Sequence, residues 1–457
     1  MPETERDDGA RLTRGSIRGH LVQQTLPMVF GIAAITSVGI VDAYFVGQLG
    51  PEPLAAISYA FPVGIALTSL GVGLLVGINS VVSRALGSRE RDLAERRAIQ
   101  GVVLTGLVGL ALTALLFALY GPLFNLLGAE GETAELIDQY MRPYLAGYPF
   151  LLFSMGSNGV LRAQGAAKRS SAILLTLAAA NWVLDPLLIA GWGPVPGYGI
   201  AGAGYASGGS FVLAGTLAMI LAARSDLGLR VSRLRDGDWG AGARQLATVG
   251  IPAASANAIN PVGLTVLTGF LSAYGDDAVA AFGVAGRLQS FAVVPLLALS
   301  SSIGAIVGQN WGAGHPDRSR AALNQAQAFS LIYGTGIAVL LVLFRDEAAG
   351  VFTDDLAVIE DIGLYLKVAA WGFGGFGVLI VTNGALNAID RASRALVLSA
   401  ARVLIVMVPV AWVGGQLAGV AGVYGGELAA NLFGSALGFF FGRRYLAAEN
   451  CRHVATA

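Results

Sequence analysis

The sequence predicts an all-α membrane protein with twelve transmembrane helices in two pseudo-symmetric six-helix bundles. Two properties of the chain carry this prediction. Of its 457 residues, 55% are hydrophobic and 13% are charged, whereas charged residues make up about 25% of a soluble domain. Its apolar stretches reach the ~20 residues that a helix needs to cross the hydrocarbon core. They are continuous instead of alternating, which excludes a transmembrane barrel.

Six apolar spans are predicted in each half of the chain. In the first half they lie near 21–46, 54–82, 98–121, 137–161, 170–191 and 198–223. In the second half they lie near 246–272, 279–308, 322–344, 358–387, 394–414 and 418–442. The expected organisation is a cytoplasmic N-terminal tail (1–20), an N-lobe (21–223), a cytoplasmic linker (224–245), a C-lobe (246–442) and a cytoplasmic tail (443–457).

The two halves repeat the same residues at a constant offset of 225 (252 − 27 = 225). The repeated pairs are Pro27 with Pro252, Gly50 with Gly275, Gly87 with Gly312, and Asn158 with Asn383. Two acids break the symmetry, because Asp42 aligns with Leu267 and Asp185 with Val410. Many secondary transporters are built from such repeats, so a carboxylate kept in one half only is a candidate functional group.

The arginines predict the orientation in the membrane. They concentrate in the N-terminal tail, the second and fourth loops, the linker and the C-terminal tail, as at Arg18, Arg89, Arg169, Arg235 and Arg443. Cytoplasmic loops carry such an excess, so both termini are expected in the cytoplasm, which agrees with an even number of spans. We expect a multi-pass protein of the cytoplasmic membrane without a cleavable signal peptide, because the first apolar run is too long for one.

The linker mixes leucines with arginines. Leu227, Leu229 and Leu234 are interleaved with Arg230 and Arg233. This pattern is typical of a short amphipathic segment on the inner leaflet, and it equally fits a solvated joint between the two lobes.

Two acids lie inside predicted spans, where ionisable side chains are costly and usually functional. Asp42 is in span one and Asp185 is in span five. Asn181 precedes Asp185 by one helical turn, so the two side chains share a helix face and can share a proton or a sodium ion. Asn158 in span four and Tyr140 at the outer start of that span complete the predicted cluster. The alternative for Asp42 is a position that simply reaches water.

Pro27 lies in the inner half of span one, where it removes one backbone hydrogen bond and permits a kink. A bend there would move the helix that carries Asp42, so Pro27 is a candidate gating residue as well as a structural kink. Its repeat partner Pro252 has no acid above it.

Metal and cofactor chemistry is not predicted beyond a driving ion. The single cysteine, Cys451, and the three histidines, His20, His315 and His453, lack the spacing of a zinc site. Glycine motifs inside the spans follow no strand, so we expect no nucleotide cofactor. We also expect a monomer in the lipid bilayer with no nucleic-acid partner.

Four motifs together resemble one transporter family. They are Pro27 with Asp42 in span one, Asn-Gly-x-x-Arg-Ala-Gln-Gly at 158–165, Asn181-x-x-x-Asp185-Pro186, and Gly-Ile-Ala-Gly-Ala at 199–203. With the twelve-span layout, they resemble the multidrug and toxic compound extrusion (MATE) family, most closely its prokaryotic DinF-like branch, over about 20–445.

The resemblance implies the MATE fold and an exporter that exchanges protons or sodium for amphiphilic, often cationic, organic compounds. It assigns a shared first-lobe polar network to Asp42, Asn158, Asn181, Asp185 and Tyr140. It also implies that Ser207 is the counterpart of a threonine that the family often has in span six.

A second polar site is expected in the C-lobe. The run Gly419-Val420-Ala421-Gly422 resembles 199–202, which places Glu427 opposite Ser207. We interpret Glu427 as a second-lobe carboxylate that pairs with Arg287 in span eight, with exposure to loop water as the alternative. Four C-lobe amides are candidate substrate contacts, with ordinary helix-helix hydrogen bonding as the alternative: Asn257, Asn260, Gln309 and Asn387.

Three classes of function were compared. The favoured class is a cation-coupled antiporter that exports amphiphilic drugs or metabolites by alternating access. The alternative is a flippase for a lipid-linked precursor, which would line its cavity with several basic residues, and Arg287 alone is a thin basis for it. An intramembrane enzyme would need a nucleophile with a base or a metal pair. The spans hold no such set, so we expect a transporter without a cofactor.

Overall fold

The computed structural model describes residues 10–235 and 238–447. Residues 1–9 of the predicted N-terminal tail, 236 and 237 of the predicted linker, and 448–457 of the predicted C-terminal tail lie outside the described residues. Cys451 and His453 belong to that last segment. Within the described ranges the chain is helical apart from turns and one small hairpin.

Six long helices form the first half of the chain, after a 3₁₀ turn at Arg11–Thr13. Their bounds are Ile17–Gly47 (α1), Pro51–Gly87 (α2), Arg91–Leu126 (α3), Gly131–Ala163 (α4), Ala167–Ile189 (α5) and Ile200–Ala223 (α6). Between α5 and α6, strands β1 (Gly191–Trp192) and β2 (Val195–Pro196) pair antiparallel. Each predicted span of this half therefore lies within one helix, apart from residues at the ends of the predicted spans five and six.

The second half begins with a 3₁₀ turn at Val231–Arg235 and contains more broken helices. Their bounds are Trp239–Leu271 (α7), Asp276–Ala292 (α8), Val294–Gly312 (α9), Pro316–Leu343 (α10), Arg345–Gly350 (α11), Leu356–Ala369 (α12), Phe373–Ala388 (α13), Ala392–Ala400 (α14) and Val408–Tyr445 (α15). A π-helix, Ala401–Met407, joins α14 to α15, and 3₁₀ turns follow α7 and α12.

These helices account for the twelve predicted spans. Eight described helices are long and apolar enough to cross a membrane, or nine if α8 and α9, which meet at 47°, form one span. Helices α4 and α7 have 33 residues each, which is ample length at 1.5 Å per residue. The stretch Ala392–Tyr445, one of the eight, divides into two spans at Gly419. The prediction of a twelve-helix membrane fold is confirmed.

Two glycines break the chain in the same way in the two repeats. Gly199, just before α6, has φ 56° and ψ −134°, and Gly419, inside α15, has φ 60° and ψ −142°. A side chain disfavours this region of backbone conformation, which glycine adopts readily. The local match between 199–202 and 419–422 is thus also a match in backbone geometry.

The chain forms two compact units, and their limits differ from those of the predicted lobes. Unit 1 comprises Met1–Arg11 and Leu26–Ala254, and unit 2 comprises Leu12–Thr25 and Ser255–Ala457. The beginning of α1 therefore belongs to unit 2, and the beginning of α7 belongs to unit 1. Sequence patterns placed the limits at the linker, whereas helix packing determines them.

Small residues explain why the start of α7 belongs to unit 1. A Cβ atom added at Gly77 of α2 would lie 2.9 Å from the carbonyl oxygen of Leu246. A Cβ atom at Gly73 would collide with the backbone of Gly250. Because both α2 positions are glycine, the backbones of α2 and α7 approach closely, as small residues permit between membrane helices.

The linker packs on unit 1 instead of lying as a joint in solvent or on a leaflet. Leu227 is buried and Leu229 packs against the same apolar cluster at one end of α2 and α3. Arg233 forms ion pairs with Asp92 and with Glu95, the latter at 3.4 Å. Both sequence interpretations of this segment were therefore wrong, because its leucines have a protein partner within their own unit.

Candidate functional site

Two carboxylates lie close to one another inside unit 1. Asp185 on α5 is fully buried, and neither of its carboxylate oxygens has a hydrogen-bond partner within the chain. Asp42 on α1 is half-buried, and its Oδ1 atom is buried without a partner. The two groups interact electrostatically. Two neighbouring anions out of water are unfavourable unless a cation or a proton offsets their charge.

Asn181 contributes another oxygen beside this pair. It lies one turn before Asp185 on α5, is 1% exposed, and its Oδ1 atom has no partner within the chain. Carboxylate and amide oxygens suit hard cations, and the same carboxylates can bind a proton. The structure thus brings together Asp42, Asp185 and Asn181 as the sequence predicted.

Tyr140 and Ser207 form the side of the cluster that faces α4 and α6. The two hydroxyls are hydrogen-bonded to each other, and Tyr140 interacts electrostatically with both Asp42 and Asp185. Ser207 and Tyr140 are 7% and 8% exposed. These contacts place both residues at the candidate site.

Tyr144 belongs to the same cluster, although sequence reasoning missed it. Its ring stacks on Tyr140 with centroids 5.7 Å apart and meets Phe211 edge to face at 5.3 Å. It also interacts electrostatically with Asp42. The available signal was its position four residues after Tyr140, which places both rings on one helix face.

Glycines in α6 bring α4 close enough for these contacts. A Cβ atom added at Gly208 would lie 2.6 Å from the carbonyl oxygen of Pro143. One added at Gly204 would collide with the carbonyl oxygen of Tyr140. The Tyr140–Ser207 pair therefore depends on close backbone approach at two turns of α6.

Asn158 does not join the carboxylates. Its Oδ1 atom accepts hydrogen bonds from Ser170 at 2.5 Å and from Arg162 at 3.2 Å. On α4 it lies 18 residues after Tyr140 (158 − 140 = 18), about 27 Å along the helix at 1.5 Å per residue. Including Asn158 in the cation site ignored this difference in depth.

Pro27 is held against α5. Its carbonyl oxygen accepts a hydrogen bond from the Ser171 hydroxyl at 2.6 Å. One turn later, Gly31 faces the same serine, whose Oγ atom would lie 2.8 Å from an added Cβ. Helix α1 continues through Pro27, so this segment is fixed to α5 below the level of Asp42.

Glu427 lies in a buried polar cluster of unit 2, but its neighbours differ from the expected ones. It is 1% exposed and accepts hydrogen bonds from Gln289 at 2.5 Å and from Tyr365 at 3.0 Å. Arg287 is exposed, because residues two positions apart on a helix point about 200° apart. Arg402 is the cationic group that interacts with Glu427. The predicted pairing with Arg287 and the alternative of exposure to loop water were both wrong.

The four amides proposed as substrate contacts have different surroundings. Gln309 is buried, and its Oε1 atom accepts a hydrogen bond from the backbone of Leu12 at 3.0 Å. The Asn260 Oδ1 atom accepts one from Arg402 at 2.7 Å. These two amides therefore stabilise unit 2 internally. Asn257 is exposed and Asn387 is half-buried.

Among the described residues, three or more histidine, cysteine, aspartate or glutamate side chains nowhere form a group suited to a metal ion. This result concerns conventional metal sites. It leaves the oxygens of Asp42, Asp185 and Asn181 as the described set best suited to a monovalent cation or a proton.

A family profile matches the chain twice. The MatE family matches residues 27–187 and 252–413, two segments that begin 225 residues apart (252 − 27 = 225). The matched segments contain most of both repeats, and their spacing equals the offset found in the sequence.

Similar proteins are transporters. The chain is 36% identical over 409 residues to a FAD transporter of Shewanella oneidensis, covering 88% of this chain and 89% of the relative. It is 25% identical over 404 residues to the multidrug export protein MepA of Staphylococcus aureus, covering 87% of each. Both relatives thus match over nearly their whole lengths.

Solved structures agree with the fold. A MATE protein crystallised with MaL6 superposes with a TM-score of 0.91 at 25% identity, covering 97% of this chain and 99% of the other. A point mutant of the Vibrio cholerae MATE transporter VcmN gives 0.89 at 25% identity, covering 98% and 99%. With the twofold profile match and the named relatives, these superpositions show that the chain is a transporter and belongs to the multidrug and toxic compound extrusion family.

Proposed function

We propose that this MATE transporter is a proton- or sodium-coupled antiporter that exports amphiphilic organic compounds across the cytoplasmic membrane. The observation that carries the proposal is Asp185, a fully buried carboxylate beside Asp42 whose two oxygens have no hydrogen-bond partner within the chain. A charge kept in that position requires a recurrent positive partner. A driving cation that binds and leaves supplies one.

Ion binding would act through the packing of α1. Uptake of a cation between Asp42 and Asp185 removes their repulsion, which favours a closer approach of α1 to α5. The Ser171–Pro27 hydrogen bond fixes α1 lower down, so the segment that moves would be the one carrying Asp42. Coupling then requires that ion and substrate favour different arrangements of this segment.

Tyr140 and Ser207 would position the carboxylates instead of binding the ion as charged groups. Their mutual hydrogen bond holds the tyrosine ring beside both acids, and the stacked Tyr144 limits its rotation. Serine here keeps the hydroxyl function that the family resemblance assigns to a threonine.

The substrate class is proposed from the relatives and is narrower than the family. The 36% identity to a FAD transporter over most of both chains makes a flavin dinucleotide the first compound to test. The 25% identity to MepA, a multidrug export protein, supports testing cationic dyes beside it. Both classes of compound combine an aromatic body with charge. We propose that the transporter works as a monomer.

The test is export measured in inside-out vesicles that carry wild type, Asp42→Asn or Asp185→Asn. FAD and a cationic dye are offered separately under a proton gradient and under a sodium gradient. We expect wild type to respond to one gradient and both variants to lose that response. Glu135→Gln is the matched control, because Glu135 is an exposed carboxylate of the same unit.

Three outcomes would contradict parts of the proposal. Undiminished gradient-driven export by both variants would remove the carboxylates from coupling. Export that needs neither gradient would remove coupling itself. Wild type that moves neither FAD nor dye, while it accelerates transbilayer movement of a lipid-linked pyrophosphate, would favour the flippase alternative.

A further inference from the structure

Unit 2 contains a buried ionic cluster that the proposed coupling mechanism does not use. Glu427 on α15 accepts hydrogen bonds from Gln289 of α8 and Tyr365 of α12. Arg402, in the π-helix, is 2% exposed and interacts electrostatically with Glu427. A buried acid and a buried arginine thus lie together among apolar helices, an arrangement that is costly unless each offsets the other.

The cluster occupies the repeat-related position of the first-unit site. Tyr365 is the repeat partner of Tyr140 (365 − 140 = 225). Glu427 is the partner of Ser207 by the glycine-break alignment (427 − 207 = 220), which the matching φ and ψ angles of Gly199 and Gly419 support. A tyrosine hydrogen-bonds to the α6-type helix in both units, to Ser207 in one and to Glu427 in the other.

The guanidinium of Arg402 is surrounded by oxygen atoms like a bound cation. Its Nε and Nη2 atoms donate to the Oδ1 atom of Asn431 at 3.0 and 2.7 Å, and its Nη1 atom donates to Asn260 at 2.7 Å. The ring of Phe376 covers it, with the centroid 5.1 Å away. The π-helix that presents Arg402 is a rare conformation that frequently occurs at functional sites.

From these contacts we infer that unit 2 contains a monovalent-cation site that the chain fills with its own arginine. Glu427, Asn431 and Asn260 supply the oxygen ligands, and the guanidinium of Arg402 is a tethered cation that never leaves. The first unit exchanges its cation, whereas the second holds one permanently. Shortening Arg402 would therefore expose a site for sodium or a proton at Glu427.

Other charged and titratable groups around Glu427 define what a proton-dependence test measures. They are Tyr365 from α12, Tyr424 one turn earlier on α15, and Arg402 from the π-helix, while Gln289 on α8 and Asn260 on α7 are neutral. Asp361 on α12 interacts with Tyr424 and lies one turn before Tyr365. An Asp361→Asn variant therefore serves to separate its titration from that of Glu427.

The experiment measures the thermal unfolding temperature of the purified full-length protein, so it does not depend on transport. All variants carry Asp42→Asn and Asp185→Asn, which silence the first-unit carboxylates whether or not they couple transport. In this background we expect no dependence on sodium, with choline as the comparison, and little on falling pH. Adding Arg402→Ala should make the unfolding temperature rise with sodium or with falling pH, because a ligand that binds only the folded state stabilises it.

The assignment to Glu427 is tested by a further substitution. Combining Arg402→Ala with Glu427→Gln should abolish the new dependence, and Arg287→Ala in place of Arg402→Ala should create none, because Arg287 is exposed. A folded Arg402→Ala variant without any cation or pH response would overturn the inference. So would a response that persists in the Arg402→Ala/Glu427→Gln combination.

If Arg402→Ala does not fold, a thermodynamic cycle decides. Glu427→Gln and Arg402→Gln should each lower the unfolding temperature, because each leaves one buried charge alone, and the double variant should regain most of the loss. Additive losses would show that Arg402 does not offset Glu427, and the inference would fail.

Discussion

The hydroxyl of Ser171 donates a hydrogen bond to the carbonyl oxygen of Pro27 at 2.6 Å and thereby joins α5 to α1. We expect Ser171→Ala to lower the free energy of unfolding by about 1 kcal/mol, the usual net value of such a bond. Ser290→Ala is the control, because the exposed Ser290 bonds only the carbonyl oxygen of Gly286 in its own helix. Equal unfolding temperatures for the two variants would show that the α1–α5 bond adds nothing.

The Tyr140–Ser207 pair should act as one element of the coupling site. Tyr140→Phe and Ser207→Ala each remove the same hydrogen bond, so each should reduce gradient-driven export roughly 2- to 10-fold, as for one lost neutral hydrogen bond. The double variant should lose little more, since residues in contact are not additive. Tyr44→Phe, at an exposed tyrosine of α1, is the control. Losses that multiply in the double variant would contradict a shared role.

Gly419 should not tolerate a side chain. With φ at 60°, Gly419→Ala should cost about 1–3 kcal/mol of backbone strain. It should lower the unfolding temperature measurably, and Gly199→Ala should do the same in the first repeat. Gly425→Ala is the matched control on α15, because no atom lies within 4 Å of its added Cβ. If all three variants unfold at the wild-type temperature, the breaks do not require glycine.

The ion pairs of the linker should depend on Glu95 more than on Asp92. Glu95 is 4% exposed and faces Arg91 at 3.2 Å, Arg233 at 3.4 Å and Arg230 at 3.8 Å. Glu95→Gln should cost about 1–3 kcal/mol and speed proteolysis of the linker. Asp92 is 74% exposed, so Asp92→Asn should cost less than about 1 kcal/mol. The reverse order of proteolysis rates would contradict the burial argument.

The single cysteine allows the proposed topology to be tested. Cys451 lies in the C-terminal tail, which we place in the cytoplasm. A membrane-impermeant maleimide should label it in inside-out vesicles and leave it unlabelled in intact cells. Cys451→Ser shows the background. Labelling of intact cells would place the tail outside and reverse the proposed orientation.

The sequence predicted the helices well because membrane spans are long, apolar and separated by charged loops. It also predicted the acids of unit 1, because Asp185 and Asn181 share a face within a single helix. The repeat offset located the glycine at 419, since the break is a local conformation that four neighbouring residues encode. All three predictions depend on short-range patterns.

The contacts that sequence reasoning missed join residues far apart in the chain. Arg402 reaches Asn260, 142 positions away, through a π-helix that has no periodic signature. The choice of Arg287 followed proximity in a span, but Gln289 occupies the face that meets Glu427. Asn158 was placed with Asp42 because both are polar and inside the membrane, although depth along α4 separates them.

The exchanged helix beginnings bear on how the protein is assembled. Residues 12–25 precede the linker but belong to the unit that follows it, and the first part of α7 follows the linker but belongs to the unit before it. A polypeptide cut within 224–245 therefore yields two fragments that each lack part of their own unit and carry part of the other. Neither fragment is an autonomous folding domain, and the second half must be synthesised before the first can complete its structure.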